Sequence, residues 1–311
     1  MDDVLNEVQQ RANLAMSNEM EMLTFYLRDE QLYGMNVFKI IEILEHKAIT
    51  KIPGSHDAIL GTIDFRGRPI SLIDLSYALD LGYTDYENNL AYILVCEYSD
   101  TTQGFLVSRP NVLITKGWKD IIKPDGMFYD STYLTAITYH QDETVQILDV
   151  EKILVEITGI TMQVDESLLQ EAQRLHAERH HVLCVDDSKA ACELLRTTLD
   201  QMDIQHTILE DAQKAYDTLE KSVEDGGKSP YTMVISDLEM PGMDGFSLTR
   251  KIKANPKLAG IHVAIHSSLS NRSNQVKAQQ MGADDFIPKF MPNSIVKSVL
   301  AQITKSQEAA N

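Results

Sequence analysis

Two rhythms of apolar residues divide the chain. Short β-rich segments follow one another at 22–27, 34–38, 58–65, 68–73, 91–97, 104–108, 112–114, 134–139 and 144–148, with turns at Asp29, Pro53-Gly54 and Gly67. Many short strands at this spacing predict small β-barrels, which remove exposed edges by closing. Beyond His181 the rhythm changes. Residues 182–185, 232–236 and 261–265 are short continuous apolar runs of the kind that form strands buried on both faces. Residues 284–289 give a further short strand. Helical patterns lie between them: Ser188 caps the first, in which Cys192, Leu195, Leu199 and Met202 recur at three- and four-residue steps. Strands alternating with helices predict a doubly wound parallel sheet. Residues 1–17 read as a polar helix with Val4, Leu5, Val8, Ala12 and Ala15 on one side. Residues 161–179 read as a charged helical connector carrying Leu168, Leu169 and Leu175. The expected organisation is therefore a helix over 1–17, a β domain over 18–160, the connector, and an α/β domain over 180–305.

Charge narrows the partners. The 311 residues carry a formal charge of −18, and residues 1–165 hold 12 Lys+Arg against 26 Asp+Glu. Such acidity argues against nucleic acid and against an anionic membrane surface. No long apolar segment and no basic leader are present, so the expectation is a cytoplasmic protein without direct membrane insertion. Cys96, Cys184 and Cys192 lack metal-site spacing and read as buried thiols.

The candidate chemistry gathers at strand ends. Asp237 closes one apolar run just where an open α/β sheet meets a ligand crevice, and Pro241, Gly242 and Gly245 force a loop after it. Asp186 and Asp187 close another run, Ser267 follows a third, and the 284–289 strand delivers Lys289. Three clustered carboxylates repel unless a hard cation with oxygen ligands sits among them. His262 and His266 have metal-like spacing for a helix, but on a strand four residues span about 13 Å, too far for one ion. His180-His181 reads as solvated, and Trp118 and Phe128-Tyr129 as packing.

The second half resembles a response-regulator receiver domain of bacterial two-component signalling, from about residue 181 to 303. The likeness rests on the acid pair, the Asp237 strand with its MPGMDG loop, Ser267 thirty positions later and Lys289 fifty-two later. It implies that Asp237 is the phospho-acceptor and that Asp186 and Asp187 bind Mg²⁺ with Asp237 and the backbone carbonyl of Glu239. It further implies that Ser267 follows the phosphoryl group, that Lys289 anchors it, and that Phe286 is the aromatic that reports the change. The chemistry is coherent: a carboxylate can attack phosphorus, and phosphoryl transfer depends mainly on positioning and electrostatics. One departure stands out. The family has proline directly after the lysine, whereas here Pro288 precedes Lys289 and Phe290 follows.

The first half is similar to the chemotaxis coupling (CheW-like) domain over about residues 20–157, on FYLRDEQLYGMNV from Phe25 and GTIDFRGRPISLIDL from Gly61. That resemblance implies two five-stranded SH3-like barrels and contacts with chemoreceptors and kinase, with Arg66 at the matching turn. A coupling domain followed by a receiver resembles the CheV class of chemotaxis adaptor. The implied partners are the chemotaxis histidine kinase, chemoreceptor cytoplasmic tips and CheW-type coupling proteins, at membrane receptor arrays. The implied role is a phospho-accepting regulatory adaptor rather than an enzyme, with at most hydrolysis of its own acyl phosphate. An alternative is a phosphate sink that drains the kinase without altering coupling. A haloacid-type phosphatase would need its nucleophile and a second acid two residues apart, which Asp186-Asp187-Ser188 lacks.

Overall fold

The computed structural model describes residues 19–98, 101–122, 132–159, 162–224, 228–268 and 272–310. The helix expected over 1–17 and the Phe128-Tyr129 pair lie outside these residues. The chain divides into two compact units, Met1–Ile160 and Thr161–Asn311.

The first unit contains strands β1 (Glu19–Tyr26), β2 (Leu32–Asn36), β3 (Ile40–Glu45), β4 (Ile59–Phe65) and β5 (Arg68–Asp74), then helix α1 (Leu75–Ala78). Strands β6 (Tyr92–Tyr98), β7 (Thr101–Val107), β8 (Arg109–Gly117), β9 (Leu134–His140) and β10 (Glu143–Leu148) follow, and helix α2 (Val150–Thr158) closes the unit. The strands form two five-stranded sheets, ordered β8-β1-β2-β10-β9 and β3-β6-β7-β5-β4. Each sheet is tied back on itself: Ile122 bridges to Ile137 on β9, and Thr50 bridges to Thr62 on β4. These ties cover open edges, as the barrel expectation requires. Strand β6 is apolar from Tyr92 to Cys96 because its centre is buried on both faces. Leu94 and Cys96 enter one core with Phe25, Met35 and Phe105, while Ile93 and Val95 enter another with Ile63, Leu72 and Leu106.

Two elements here were not among those expected. Strand β3 reads Ile-Ile-Glu-Ile-Leu-Glu, without strict alternation, because it is an edge strand whose Ile41 and Ile43 stay exposed. Helix α2 is stopped and started locally. The Asp149 carboxylate accepts from Lys152 N, and Gly159 ends the helix at φ +61°. Its Val150, Ile153, Leu154 and Ile157 then fill the larger core.

The second unit runs through helix α3 (Glu166–Arg174), β11 (His181–Val185), α4 (Lys189–Gln201), β12 (Gln205–Leu209), α5 (Ala212–Lys221) and β13 (Met233–Asp237). It continues with α6 (Gly245–Ala254), β14 (His262–Ser267), α7 (Arg272–Gln280), β15 (Asp285–Pro288) and α8 (Pro292–Ala310). The sheet order is β12-β11-β13-β14-β15, with every pairing parallel. The chain winds outward in both directions from β11, so the crevice at the carboxyl ends of β11 and β13 is the topological switch point. Ser188 caps α4 by accepting from Ala191 N, as the sequence predicts.

The stretch expected as a polar connector is helical, and it is also bound into the second unit. Val164, Ala172 and Ala177 are buried in its core, with Leu168, Leu169 and Leu175 packed alongside. Val164 N donates to Gln201 Oε1 at 3.0 Å, Asp165 N to Asn293 Oδ1 at 3.0 Å, and Gln307 Nε2 to the Leu175 carbonyl at 2.9 Å. His181 likewise departs from the solvated reading. It opens β11 half-buried, with its Nε2 2.9 Å from Thr207 Oγ1 and its ring against Tyr231.

Candidate functional site

The site follows from strand parity. Cys184, Ile235, Ala264 and Ile287 belong to one core on one face of the sheet. Side chains alternate along a strand, so the residues two positions further on share that face. Those residues are Asp186, Asp237, His266 and Lys289, all at the carboxyl ends of neighbouring strands. The register agrees, pairing Asp237 with His266 and His266 with Ile287.

Lys289 joins the acids. Its Nζ lies 2.9 Å from Asp186 Oδ2 and 3.1 Å from Asp237 Oδ1. All three side chains are essentially inaccessible, with Asp186 fully buried and Asp237 only 4% exposed. Asp186 Oδ1 accepts from Ser188 N at 3.0 Å, and Asp237 Oδ1 accepts from Leu238 N at 2.7 Å. Burial alone would raise the Asp186 pKa, but the Lys289 ammonium and the nearby His266 outweigh it and hold the carboxyl below its ordinary range. Cys192, behind the pocket, donates to the Asp186 carbonyl at 3.1 Å. Its thiol is pushed up to about 12 by burial and by the carboxylates of Asp186 and Glu210, which leaves it unreactive.

Asp187 is half-buried, and one oxygen from each of Asp186, Asp187 and Asp237 lies within 4.8 Å of the others. An all-oxygen donor set of this size suits a hard divalent cation. Glu239 follows in the loop, half-buried, two residues after Asp237. That loop is drawn tightly beneath the end of β13. Gly245 N donates to the Leu238 carbonyl at 3.0 Å, and a Cβ at Gly245 would stand 2.1 Å from the Asp237 carbonyl oxygen. Only glycine permits so close an approach.

Residues 21–158 match the CheW-like domain, and residues 182–300 match the response regulator receiver domain. The chain is a CheW-like domain followed by a response regulator receiver domain. Over its length it is similar to chemotaxis protein CheV2 of Helicobacter pylori, 29% identical over 302 residues that cover 92% of this chain and 95% of the relative. Chemotaxis protein CheV1 of the same organism is 27% identical over 320 residues, covering 96% and 98%. The first domain belongs to the CheW-like family. Chemotaxis protein CheW of Thermotoga maritima is 31% identical over 142 residues, 45% of this chain and 91% of the relative.

In the receiver domain Ser267 ends β14 with 1% exposure, and its carbonyl accepts from Lys289 N at 3.2 Å. Phe286 pairs with Ile265 and packs, half-buried, beside Leu238, Phe246, Ile265, Ala278 and Ala283. Leu238 directly follows Asp237, so Phe286 packs on the same cluster as the loop that leaves β13. Phe290, where the resemblance leads one to expect proline, adopts φ +60° and packs against the core shared by α4 and α8. In the CheW-like domain Arg66 occupies the two-residue β4–β5 turn at φ +52° with Gly67 at +79°, the pair of positive angles that a tight hairpin needs. Its guanidinium is 2.6 Å from Glu42 Oε2 on β3 and 68% exposed.

His266 was passed over in the sequence because its spacing to His262 offered nothing. Strand alternation was the usable signal: counted from Asp237 across the register, His266 falls on the carboxylate face. The ring is fully buried, with Nδ1 3.8 Å from Asp186 Oδ2.

Proposed function

We propose that this chain is a chemotaxis adaptor. In this reading the CheW-like domain couples chemoreceptor cytoplasmic tips to the chemotaxis histidine kinase, beside CheW-type coupling proteins, on the cytoplasmic side of receptor arrays. Phosphorylation of Asp237 adjusts that coupling. The observation that carries the reading is a pocket of three carboxylates and a buried lysine in a chain that also holds a CheW-like domain, in the order shared by relatives matched along nearly their full length.

The chemistry proposed for the pocket is phosphoryl transfer from a kinase phosphohistidine. An Asp237 oxygen attacks phosphorus, the O–P bond forms as the N–P bond breaks, and the leaving imidazole takes up a proton. Mg²⁺, held by Asp186, Asp187, Asp237 and the Glu239 carbonyl, supplies neutralising charge for the phosphoryl oxygens when bound. Lys289 anchors one of those oxygens, and Ser267 closes on another. Phe286 then repacks, giving the two-state element that a switch requires.

The test is a reconstituted kinase assay with receptor, comparing the intact chain with Asp237→Ala. Coupling by both, with a phosphorylation-dependent change only in the intact chain, is the expected result. Kinase output unchanged by either protein would remove the adaptor reading. Phosphoryl drainage by the intact chain with coupling unaltered would replace it with the sink.

A further inference from the structure

Only Phe290 and Met291 separate Lys289 from α8, which opens at Pro292. Phe290 takes φ +60°, a left-handed angle that a residue other than glycine keeps only where its surroundings fix it. Consecutive side chains leave this bend for different places. Lys289 reaches the acids of the pocket, while Phe290 packs against the core that also holds Val164, Ala172 and Ala177 of the 161–179 stretch. At the second position of α8, the Asn293 carboxamide oxygen accepts from Asp165 N at 3.0 Å, at the head of α3. A different helix pins the residues just before it. Gln201, the last residue of α4, accepts from Val164 N at 3.0 Å and donates to the Met162 carbonyl at 2.6 Å. Residues 162–165 are thus strung between a carboxamide of α4 and a carboxamide of α8. Farther along α8, the Ser298 hydroxyl donates to the Asp285 carboxylate and fastens that helix to β15. What the 161–179 stretch supports is therefore the first turn of α8 and the bend before it.

We propose that the 161–179 stretch is a positioning element of the receiver domain. Docked between Gln201 and Asn293, it steadies the first turn of α8 and the Phe290 bend, and so fixes the point from which Lys289 reaches the pocket. The inference rests on the phosphoryl-transfer reading, in which Lys289 anchors a phosphoryl oxygen. A lysine is a point charge on a flexible four-carbon stem, so the precision of its reach comes from the backbone that carries it. Loosening that backbone has two consequences of opposite sign. The lysine holds a phosphoryl oxygen less well, and it also competes less with a divalent cation for the carboxylates. A merely structural weakening of the domain would lower both affinities together.

The experiment uses the full chain and two variants on different helices, Asn293→Ala and Gln201→Ala, each of which removes hydrogen bonding to the 162–165 backbone. Hydrogen exchange over 162–175 reads the docking of the stretch. Calorimetry with Mg²⁺ alone reads the carboxylates, and ¹⁹F NMR with beryllofluoride, a phosphoryl mimic that binds a carboxylate oxygen, reads the anchor at saturating Mg²⁺. Both variants are expected to exchange faster over 162–175 and to bind Mg²⁺ as well as the parent or better. Their beryllofluoride affinity should fall about tenfold, the lower end of what removing a supporting contact costs a site. Parent-like beryllofluoride affinity, with or without faster exchange, would overturn the positioning role. So would a parallel loss of both affinities, which marks general destabilisation. A loss in Asn293→Ala without one in Gln201→Ala would also overturn it, by tracing the effect to α8 itself. Failure of the parent chain to bind beryllofluoride with Mg²⁺ would instead remove the phosphoryl-transfer reading.

Discussion

The Lys289 ammonium stands 2.9 Å from Asp186 Oδ2, in a pocket where the aspartate side chain is wholly buried and the lysine side chain 4% exposed. A buried pair of this kind contributes less by its attraction than by what each partner spares the other. Removing either one leaves an uncompensated charge away from water.

Lys289→Ala is therefore expected to destabilise the receiver domain by about 3 kcal/mol, measured by urea denaturation. MgCl₂ should recover more stability in this variant than in the parent, because a cation at the carboxylates substitutes for the missing ammonium. Combining it with Asp186→Asn should restore stability without Mg²⁺. A single variant as stable as the parent would show that water reaches the pocket freely.

Gly245→Ala places a Cβ against the Asp237 carbonyl, 2.1 Å away, where backbone rather than a flexible side chain must yield. The expected cost exceeds about 2 kcal/mol, and phosphorylation of Asp237 should slow because the end of β13 shifts. Gly242 offers the control. It has open space around its Cβ position but φ +78°, so Gly242→Ala should cost only about 1 kcal/mol of backbone strain. Equal costs for the two variants would remove close approach as the reason for Gly245.

His262 gives a pH signature. Burial lowers its pKa, and Asp284 and Asp285 only partly oppose this; its Nε2 is buried with no hydrogen-bond partner among the described residues. The unfolded chain therefore takes up a proton at about pH 6.5, before the folded chain does. Stability present above that value is lost as the pH falls through the lower folded value. His180 and His181 are lowered too and act with the same sign. The measurement is consequently a difference: between pH 7 and pH 5, His262→Leu should lose less stability than the parent. Parallel curves would mean that the ring finds a partner when charged.

Arg66 pairs with Glu42 at the surface, an interaction worth about 1 kcal/mol or less. Arg66→Ala should leave thermal stability nearly unchanged while weakening co-sedimentation with receptor and kinase. Glu42→Ala frees the guanidinium, so it should leave co-sedimentation intact or strengthen it. If both variants weaken binding equally, the pair acts as one unit that shapes the turn. If neither does, the arginine is a surface residue.

How far the chain could be read without its fold differs from element to element. The buried parallel strands announced themselves, because a strand covered on both faces must be apolar throughout, as Val182 to Val185 and Met233 to Ile235 are. The positions of Asp186, Asp237, Ser267 and Lys289 at strand ends followed from where those runs stop. Strand β3 and helix α2 were not among the expected elements. One is an edge whose Ile41 and Ile43 face outward; the other carries Val150, Ile153, Leu154 and Ile157 at helical spacing between a cap at Asp149 and a left-handed Gly159, a signal that was present but overlooked among the strands. The 161–179 stretch misled through its charge, since its burial depends on an apolar face supplied by α8 and on hydrogen bonds with Gln201, Asn293 and Gln307. Glu42 reaches Arg66 across 24 positions of sequence, and His266 reaches Asp186 across 80. Local pattern is set by which face of an element is covered, and one chain segment carries that information in its own residues. Which side chain meets which across strands depends on register and strand order, and these exist only once the sheets have formed.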